Sequence, residues 1–142
     1  MPEHTFKLLI ATPTGWAAQT DAESLIVPGA EGYLGILANH APLMTAIGVG
    51  ALNFRDGDGY DHIYAVTEGF LEVSNNVVTI VADAAETKEE IDLERAKRAL
   101  ERAKDRLQRA AGDHTIDIER ARAAYSRALN RIRIAEGQVR LK

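Results

Sequence analysis

The spacing of apolar residues along the chain changes once, close to Ala84. Before that point, apolar residues alternate with other residues in short runs, as in Phe6, Leu8 and Ile10, and turn-forming residues separate the runs. Alternation with a period of two is typical of half-buried β-strands. Because such runs recur about every 8–12 residues, this part of the chain predicts a β-sandwich or barrel.

Two pairs of these runs predict β-hairpins. The runs at 49–54 and 60–66 flank Asp-Gly-Asp-Gly, and those at 70–73 and 77–81 flank Asn-Asn. Glycine and asparagine adopt the positive φ that tight hairpin turns require. A further short strand is expected at 24–27, where the following proline and glycine are expected to end it.

Helical periodicity replaces the alternation after Ala84. Thr87, followed three residues later by Glu90, is a capping-box signal for a helix start. Apolar residues then recur at alternating spacings of three and four residues, which places them on one face of each of two helices. The first stripe comprises Leu93, Ala96, Leu100, Ala103, Leu107 and Ala110, and the second comprises Ile118, Ala121, Tyr125, Ala128, Ile132 and Ala135.

A short connection at 112–115 predicts that the two helices pack as an antiparallel hairpin. Each stripe alternates a large residue with alanine, which allows a close approach but buries little apolar area. The hairpin is therefore expected to be marginally stable alone and suited to movement. The predicted fold class is α+β, with an antiparallel β-sandwich over residues 1–85 followed by an antiparallel two-helix hairpin over residues 86–142.

Charge also divides the chain. Residues 1–84 carry two basic residues against ten acidic ones, a net charge of −8, whereas residues 85–142 carry 15 basic residues against 11 acidic ones, a net charge of +4. The absence of cysteine excludes a disulfide framework, a thiol nucleophile and a Cys-ligated zinc site. No secretory signal is expected. Residues 32–54 are uncharged, but their glycines, Asn39 and Pro42 argue against a membrane span.

The second predicted helix carries an arginine row without acidic neighbours. Between residues 120 and 133 there are five arginines and no acid, and Arg120, Arg127 and Arg131 fall within about 40° of one another on a helix. Such a row requires a facing anion, and a phosphate-bearing small molecule, a nucleic acid or an acidic protein surface would each serve. The acidic first part of the chain disfavours nucleic acid. The four histidines lack metal-ligand spacing, and no isolated catalytic site is expected.

Three segments resemble a known family. Residues 31–43 (EGYLGILANHAPL) resemble the hallmark loop of the epsilon subunit of bacterial and chloroplast rotary ATP synthases. Residues 68–73 and 77–80 resemble its next signature, and residues 91–96 resemble its C-terminal helix motif. The resemblance implies a non-catalytic rotor subunit of a proton-translocating ATP synthase, whose sandwich joins the gamma subunit and sits on the c-ring. Glu31, Tyr33 and His40 are the candidates for that interface.

The resemblance also implies regulation by the helix hairpin. In the family the hairpin lies against the sandwich or extends along gamma, where Arg120, Arg127 and Arg131 would face an acidic segment of the beta subunits and block ATP hydrolysis. Some members bind ATP in the folded hairpin, as a regulatory ligand rather than a required cofactor. The matching positions here are Glu86, Asp92, Arg95, Arg102, Arg127 and Arg131.

The implied location is peripheral, at the cytoplasmic face of a bacterial plasma membrane, without direct membrane insertion. A second hypothesis is a free-standing nucleotide sensor that keeps the arginine cluster and has no rotor role. A third, a nucleic-acid-binding hairpin, predicts binding that weakens steeply with salt, and the acidic first part of the chain argues against it.

Overall fold

A computed structural model describes residues 4–138 of the chain. These residues form a strand-rich part followed by two helices, which confirms the predicted α+β class. The strands are β1 (Phe6–Thr12), β2 (Gly15–Gly29), β3 (Gly32–Leu37), β4 (Leu43–Ile47), β5 (Gly50–Asp56), β6 (Asp61–Val66), β7 (Gly69–Ser74), β8 (Val77–Ala82) and β9 (Ala85–Thr87). A 3₁₀ turn (Lys88–Glu90) precedes the helices α1 (Leu93–Arg109) and α2 (Ile118–Ala135).

Strand β2 connects the two layers of the sandwich. Its residues 15–22 pair with β1, residues 24–29 pair with β3, and residues 22–26 pair with β5. The prediction of a short strand ending before Pro28 is wrong, because β2 runs for 15 residues through Pro28 and Gly29. A proline is tolerated near the end of a strand, where the ladder does not require its missing N–H.

The first layer contains β1, β8, β7 and β4 in that order, and the second contains β3, β2, β5, β6 and β9. The pairings are antiparallel apart from β1 with β8, which run parallel. The apolar side chains that point between the layers form the core, which includes Phe6, Leu8, Ile10, Leu25, Val27, Ile36, Leu52, Phe54, Leu71, Val73, Val78 and Ile80. The predicted boundary between residues 85 and 86 falls inside β9 and stays a prediction.

Both predicted hairpin turns are confirmed. Asn75 and Asn76 have φ of 51° and 60°, the left-handed conformation that a two-residue turn between β7 and β8 needs. In the β5–β6 turn the Asp56 carboxylate accepts the backbone N–H groups of Asp58 and Tyr60 at 2.9 and 3.0 Å. The ring Nε2 of His62 lies 2.8 Å from the same carboxylate, and the ring stacks on Phe54.

Asp56 is expected to give the β5–β6 turn an acid-sensitive stability. The hydrogen bond from His62, followed by that from the Tyr60 N–H, holds the pKa of Asp56 below its usual value. Ionised Asp56 therefore stabilises the fold above the unfolded-state pKa of about 4, and this stabilisation is lost as pH falls through the lower folded-state pKa. Unfolding at pH 3 to 6 should show a shallower loss of stability in Asp56→Asn than in the native chain. Equal dependence of the free energy of unfolding on pH in the two chains would contradict the role of Asp56.

The helix boundaries differ from those predicted. Glu90 does accept the Thr87 N–H at 2.9 Å, but this contact closes the 3₁₀ turn rather than starting α1. Helix α1 begins at Leu93, where the Asp92 carboxylate accepts the Arg95 N–H at 3.0 Å as an N-cap. The connection between the helices spans residues 110–117, twice the predicted length. It is longer at both ends, because α1 ends at Arg109 and Asp117 caps α2.

Four of the six alanines of the predicted helix seam are buried. Ala96 and Ala103 of α1 and Ala121 and Ala128 of α2 are buried. The leucines of the α1 stripe are only half-buried. The helices therefore approach closely through alanine, as the alternation of large and small residues indicated.

Gly69, at the start of β7, is a position where the sandwich admits no side chain. A Cβ there would overlap the carbonyl oxygen of Val81 on the paired strand β8. Gly69→Ala is expected to lower the free energy of unfolding by about 1–3 kcal/mol, the usual cost of overpacking. Gly48→Ala is the matched control, since nothing lies within 4 Å of its Cβ position. Denaturant unfolding compares the two, and equal stabilities would contradict the expected clash.

Candidate functional site

A cavity of about 420 Å³ lies where the helix hairpin meets the last strand of the sandwich. Charged residues from β9, the 3₁₀ turn and both helices surround it, and alanines of the helix seam form the rest of its wall. Its lining comprises Glu86, Glu90, Asp92, Arg95, Ala96, Ala99, Arg102, Ala128 and Arg131. We call it the interdomain cavity. The short alanine side chains leave the space that larger residues would fill.

The interdomain cavity brings together five of the six residues predicted for a nucleotide site, namely Glu86, Asp92, Arg95, Arg102 and Arg131. Strand pairing fixes Glu86, which lies opposite Ala65 of β6. Arg95 and Arg102 are seven residues apart on α1 and therefore share a helix face. Guanidinium groups from two helices thus line one space, which suits the recognition of phosphate oxygens.

Arg131 connects the hairpin to the sandwich through this cavity. Its Nε donates to Glu86 Oε1 at 2.6 Å, and both side chains are about two-thirds buried. A charge-assisted hydrogen bond of this length is stronger than a neutral one, and partial burial reduces its screening by water. The contact uses Nε, so the two terminal amino groups of the guanidinium can bind a ligand phosphate while Glu86 stays in place.

Tyr64 lies on β6, opposite Thr87 of β9. Burial raises the pKa of Tyr64, and the negative charge of Glu90 adds to the effect. The phenol therefore stays protonated at neutral pH, and its hydroxyl donates to the Ala17 carbonyl at 3.3 Å. This contact ties β6 to the first half of β2.

The predicted arginine row does not form one surface. Arg127, the sixth residue predicted for a nucleotide site, lies outside the cavity lining, and its Nη1 donates to Glu68 of the sandwich at 3.3 Å. Arg120 lies with Arg106 and Arg109 around a separate cavity of about 340 Å³ at the far end of the hairpin. Two carboxylates of the chain itself face this row, Glu68 for Arg127 and Glu86 for Arg131. The pairing of Arg127 with Glu68 was not predicted, because the two residues lie 59 positions apart in sequence.

The residues that hold α2 on the sandwich were also missed. Ile134 is 2% exposed and packs with Ala51, Ala65 and Ile91 in a second apolar cluster. Asn130 donates from its side-chain amide to the Gly50 carbonyl at 2.9 Å. We call the surface formed by Gly50, Ala51, Ala65 and Ile91 the docking seat. Ile134 stands outside the regular stripe of α2, and that irregularity was the available signal.

The three residues predicted for a partner interface do not cluster. Glu31 is exposed in the β2–β3 turn, and Tyr33 follows it at 60% exposure. His40 lies beyond the other end of β3. At about 3.3 Å per residue, the strand separates His40 from Tyr33 by well over 10 Å. The His40 ring Nδ1 contacts the Ala41 carbonyl oxygen at 2.7 Å.

An apolar row crosses the outer face of the first layer, and the sequence reading did not identify it. In register across five strands it comprises Trp16, Ala11, Val81, Phe70 and Ala46. Trp16, Val81 and Phe70 are each more than half exposed. Exposed apolar surface that is continuous across strands is typical of an interaction site. The signal was that Phe70 and Leu71, adjacent in β7, are both apolar, so neither face of that strand is polar there.

Metal-ligating residues form no cluster of three or more within residues 4–138. Over the same residues, neither helix combines the length and the apolar character that crossing a membrane requires.

Comparison with known proteins covers nearly the whole described chain. Residues 5–88 match the family described as "ATP synthase, Delta/Epsilon chain, beta-sandwich domain", and residues 89–136 match "ATP synthase, Delta/Epsilon chain, long alpha-helix domain". The chain belongs to the epsilon-subunit family of F-type ATP synthases. The resemblance drawn from residues 31–43 and the later motifs is therefore confirmed.

Individual relatives agree with the family assignment. The ATP synthase epsilon chain of Carboxydothermus hydrogenoformans is 47% identical over 103 residues, which are 72% of this chain and 76% of the relative. That of Latilactobacillus sakei is 42% identical over 107 residues, 74% of each chain. As a member of the epsilon family, the chain is a subunit of the ATP synthase complex.

Solved structures show the same fold. A chain in the Euglena gracilis mitochondrial ATP synthase, in a structure of OSCP, F1 and the c-ring, superimposes with a TM-score of 0.75 at 25% identity. The match covers 89% of this chain and 78% of that one. A chain from the Tetrahymena thermophila mitochondrial enzyme, from its central stalk and c-ring, has a TM-score of 0.51 at 16% identity, a likeness of fold alone.

Proposed function

We propose that the chain is a non-catalytic subunit of the central stalk of a proton-translocating ATP synthase. Its sandwich couples the gamma subunit to the c-ring, and its helix hairpin inhibits ATP hydrolysis when it leaves the sandwich. ATP is a regulatory ligand of the docked hairpin. The complex then places the subunit peripherally, at the cytoplasmic face of a bacterial plasma membrane.

The proposed inhibition by the hairpin rests on the small interface between the hairpin and the sandwich. Ile134 supplies its buried apolar contact, Asn130 a hydrogen bond, and Arg127 and Arg131 two partly exposed ion pairs. The more exposed Arg127–Glu68 pair contributes about 0–1 kcal/mol, and the more buried hydrogen bond between Arg131 and Glu86 contributes about 1.5–3 kcal/mol at most. An interface of this size permits the hairpin to undock at low cost.

The two ion pairs also explain how one set of arginines serves two positions of the hairpin. In the docked state Glu68 and Glu86 neutralise Arg127 and Arg131. When the hairpin undocks, these guanidiniums are free, together with Arg120, to face an acidic segment of the beta subunits. Exchange of one carboxylate partner for another keeps the electrostatic free energy of the two states similar.

The interdomain cavity supports the proposed ATP sensitivity. Arg95 and Arg102 belong to α1, Arg131 belongs to α2, and Glu86 belongs to the sandwich. A ligand that contacts all of them binds the docked state better than the undocked state, and it therefore shifts the population toward docking. Asp92 caps α1 through one carboxylate oxygen, and its other oxygen remains available to order a guanidinium or to accept a ligand hydrogen bond.

The apolar row supports the role of the sandwich in the rotor. Acidic side chains of Glu68, Glu72 and Asp83 surround the exposed Phe70 and Val81. We assign this face, together with the exposed Glu31 and Tyr33 near the β2–β3 turn, to contacts with gamma and the c-ring. An acidic rim favours a partner surface that carries basic residues around an apolar centre.

Truncation tests this function. A chain that ends at Glu90 keeps β9 and the 3₁₀ turn and removes both helices. Assembled with the other subunits, it should support complex formation and coupling while ATP hydrolysis rises above that of the complex with the full chain. Loss of assembly would contradict the proposal that the sandwich alone supports complex formation. Retained assembly with unchanged hydrolysis would contradict inhibition by the hairpin.

A further inference from the structure

One peptide group in the docking seat is held from both sides. It joins Gly50 to Ala51 at the start of β5. Its carbonyl oxygen accepts the Asn130 side-chain amide of α2 at 2.9 Å, and its N–H donates to the Tyr33 hydroxyl at 3.1 Å. A hydrogen bond at one end of a peptide group polarises the other end, so the two bonds strengthen each other.

The sequence leaves the N–H of this peptide group without a ladder partner on β2. The ladder between β2 and β5 ends at Ile26 opposite Asn53, and on the same register Pro28 would stand opposite Ala51. Proline has no N–H to donate, and its carbonyl accepts the Gly48 N–H at 2.8 Å instead. The Ala51 N–H therefore lacks the Pro28 carbonyl as an acceptor, and it donates to the Tyr33 hydroxyl instead, because β3 places Tyr33 opposite Pro28.

The contact is too close to be incidental. A Cβ at position 50 would lie 2.6 Å from the Tyr33 hydroxyl and 2.8 Å from the Pro28 side chain, so only glycine fits beneath the phenol. On the opposite side, the Ala51 side chain is 4% exposed and packs in the cluster that contains Ile134. Tyr33 and α2 thus act on the same two residues of β5.

We propose that Tyr33 is a positioning residue for the docked hairpin, and that its exposed ring couples partner contact on the sandwich to hairpin docking. The proposal rests on the proposed function in assuming that the hairpin docks and undocks. Rotation of the phenol by a partner withdraws the acceptor from the Ala51 N–H. The Gly50 carbonyl then binds Asn130 less strongly, and the undocked population rises.

A double-mutant cycle on the full chain tests the coupling. The variants are Tyr33→Phe, Asn130→Ala and both together, and spin labels on cysteines introduced at the exposed positions Gln19 and Gln108 report the docked fraction. Tyr33→Phe should raise the ratio of undocked to docked chains by about 1.2- to 1.7-fold, because loss of polarisation weakens the hydrogen bond from Asn130 to the Gly50 carbonyl by about 10–30%. In the Asn130→Ala background the same change should have a clearly smaller effect. Hydrogen exchange of the Ala51 amide should accelerate in Tyr33→Phe.

Tyr60→Phe is the matched control, because Tyr60 is 69% exposed in the β5–β6 turn, away from the docking seat. It should leave the docked fraction unchanged. Additive effects of Tyr33→Phe and Asn130→Ala would overturn the proposal, as would equal effects of Tyr33→Phe on docking and on global unfolding of the sandwich. These outcomes are independent of the ATP hydrolysis of the truncated complex, so the coupling and the proposed function can fail separately.

Discussion

Ile134→Asp should release the hairpin from the sandwich. The side chain is 2% exposed and packs against Ala51, Ala65 and Ile91, without a polar partner for a carboxylate. The variant loses the apolar contact and must desolvate a charge or expose it by undocking. Loss of a buried isoleucine alone costs about 2–5 kcal/mol, comparable to the whole stability of such a small interface.

The expected result is a change from a mostly docked to a mostly undocked hairpin, with the sandwich intact. Hydrogen exchange should show increased exchange in α2 and unchanged protection in the core strands β1 and β8. Ile118→Asp is the matched control, since Ile118 is 41% exposed at the start of the same helix. If the sandwich amides lose protection together with α2, the two parts do not separate as independent units.

Arg131→Ala should weaken ATP binding by about 10- to 100-fold. The change removes a guanidinium from the interdomain cavity and also removes the hydrogen bond to Glu86. A hydrogen bond to a charged group contributes about 1.5–3 kcal/mol, which sets the expected range. Calorimetric titration of the isolated chain with Mg-ATP measures the affinity directly.

Arg133→Ala is the control for Arg131→Ala, because Arg133 is exposed and lies about 200° further around α2. Its affinity for ATP should match that of the native chain. Asp92→Ala is a second test of the same cavity and should also weaken binding. Equal ATP affinities of Arg131→Ala and Arg133→Ala would contradict ATP binding in the interdomain cavity.

Local signals predicted the parts of the fold that neighbouring residues determine. The Asn75–Asn76 turn and the alanine seam follow from residues close together in sequence, and both are present. The alternation of apolar residues predicted a sandwich without revealing that β1 pairs in parallel with β8. Turn residues do not specify which strands meet after the chain has passed through six others, so this pairing was not predictable.

The site was predicted only in part, for the same reason. A resemblance to family motifs identified Asp92 and Arg95, which lie at the interdomain cavity. It did not indicate that Glu68 neutralises Arg127 of α2, because this contact exists only after the hairpin docks. The docking residue Ile134 interrupts the regular helical stripe, and a reading based on periodicity alone passes over such a residue.

We propose that ATP holds the hairpin on the sandwich. Pulsed electron–electron double resonance between spin labels at positions 19 and 108 tests this most directly. The labels are specific because the chain has no cysteine other than the two introduced for labelling. Ile134→Ala provides a background in which docked and undocked populations coexist. Rising Mg-ATP should convert the distance distribution to the docked one, with half-conversion near the calorimetric Kd. An undocked population that persists unchanged at saturating Mg-ATP would contradict the claim.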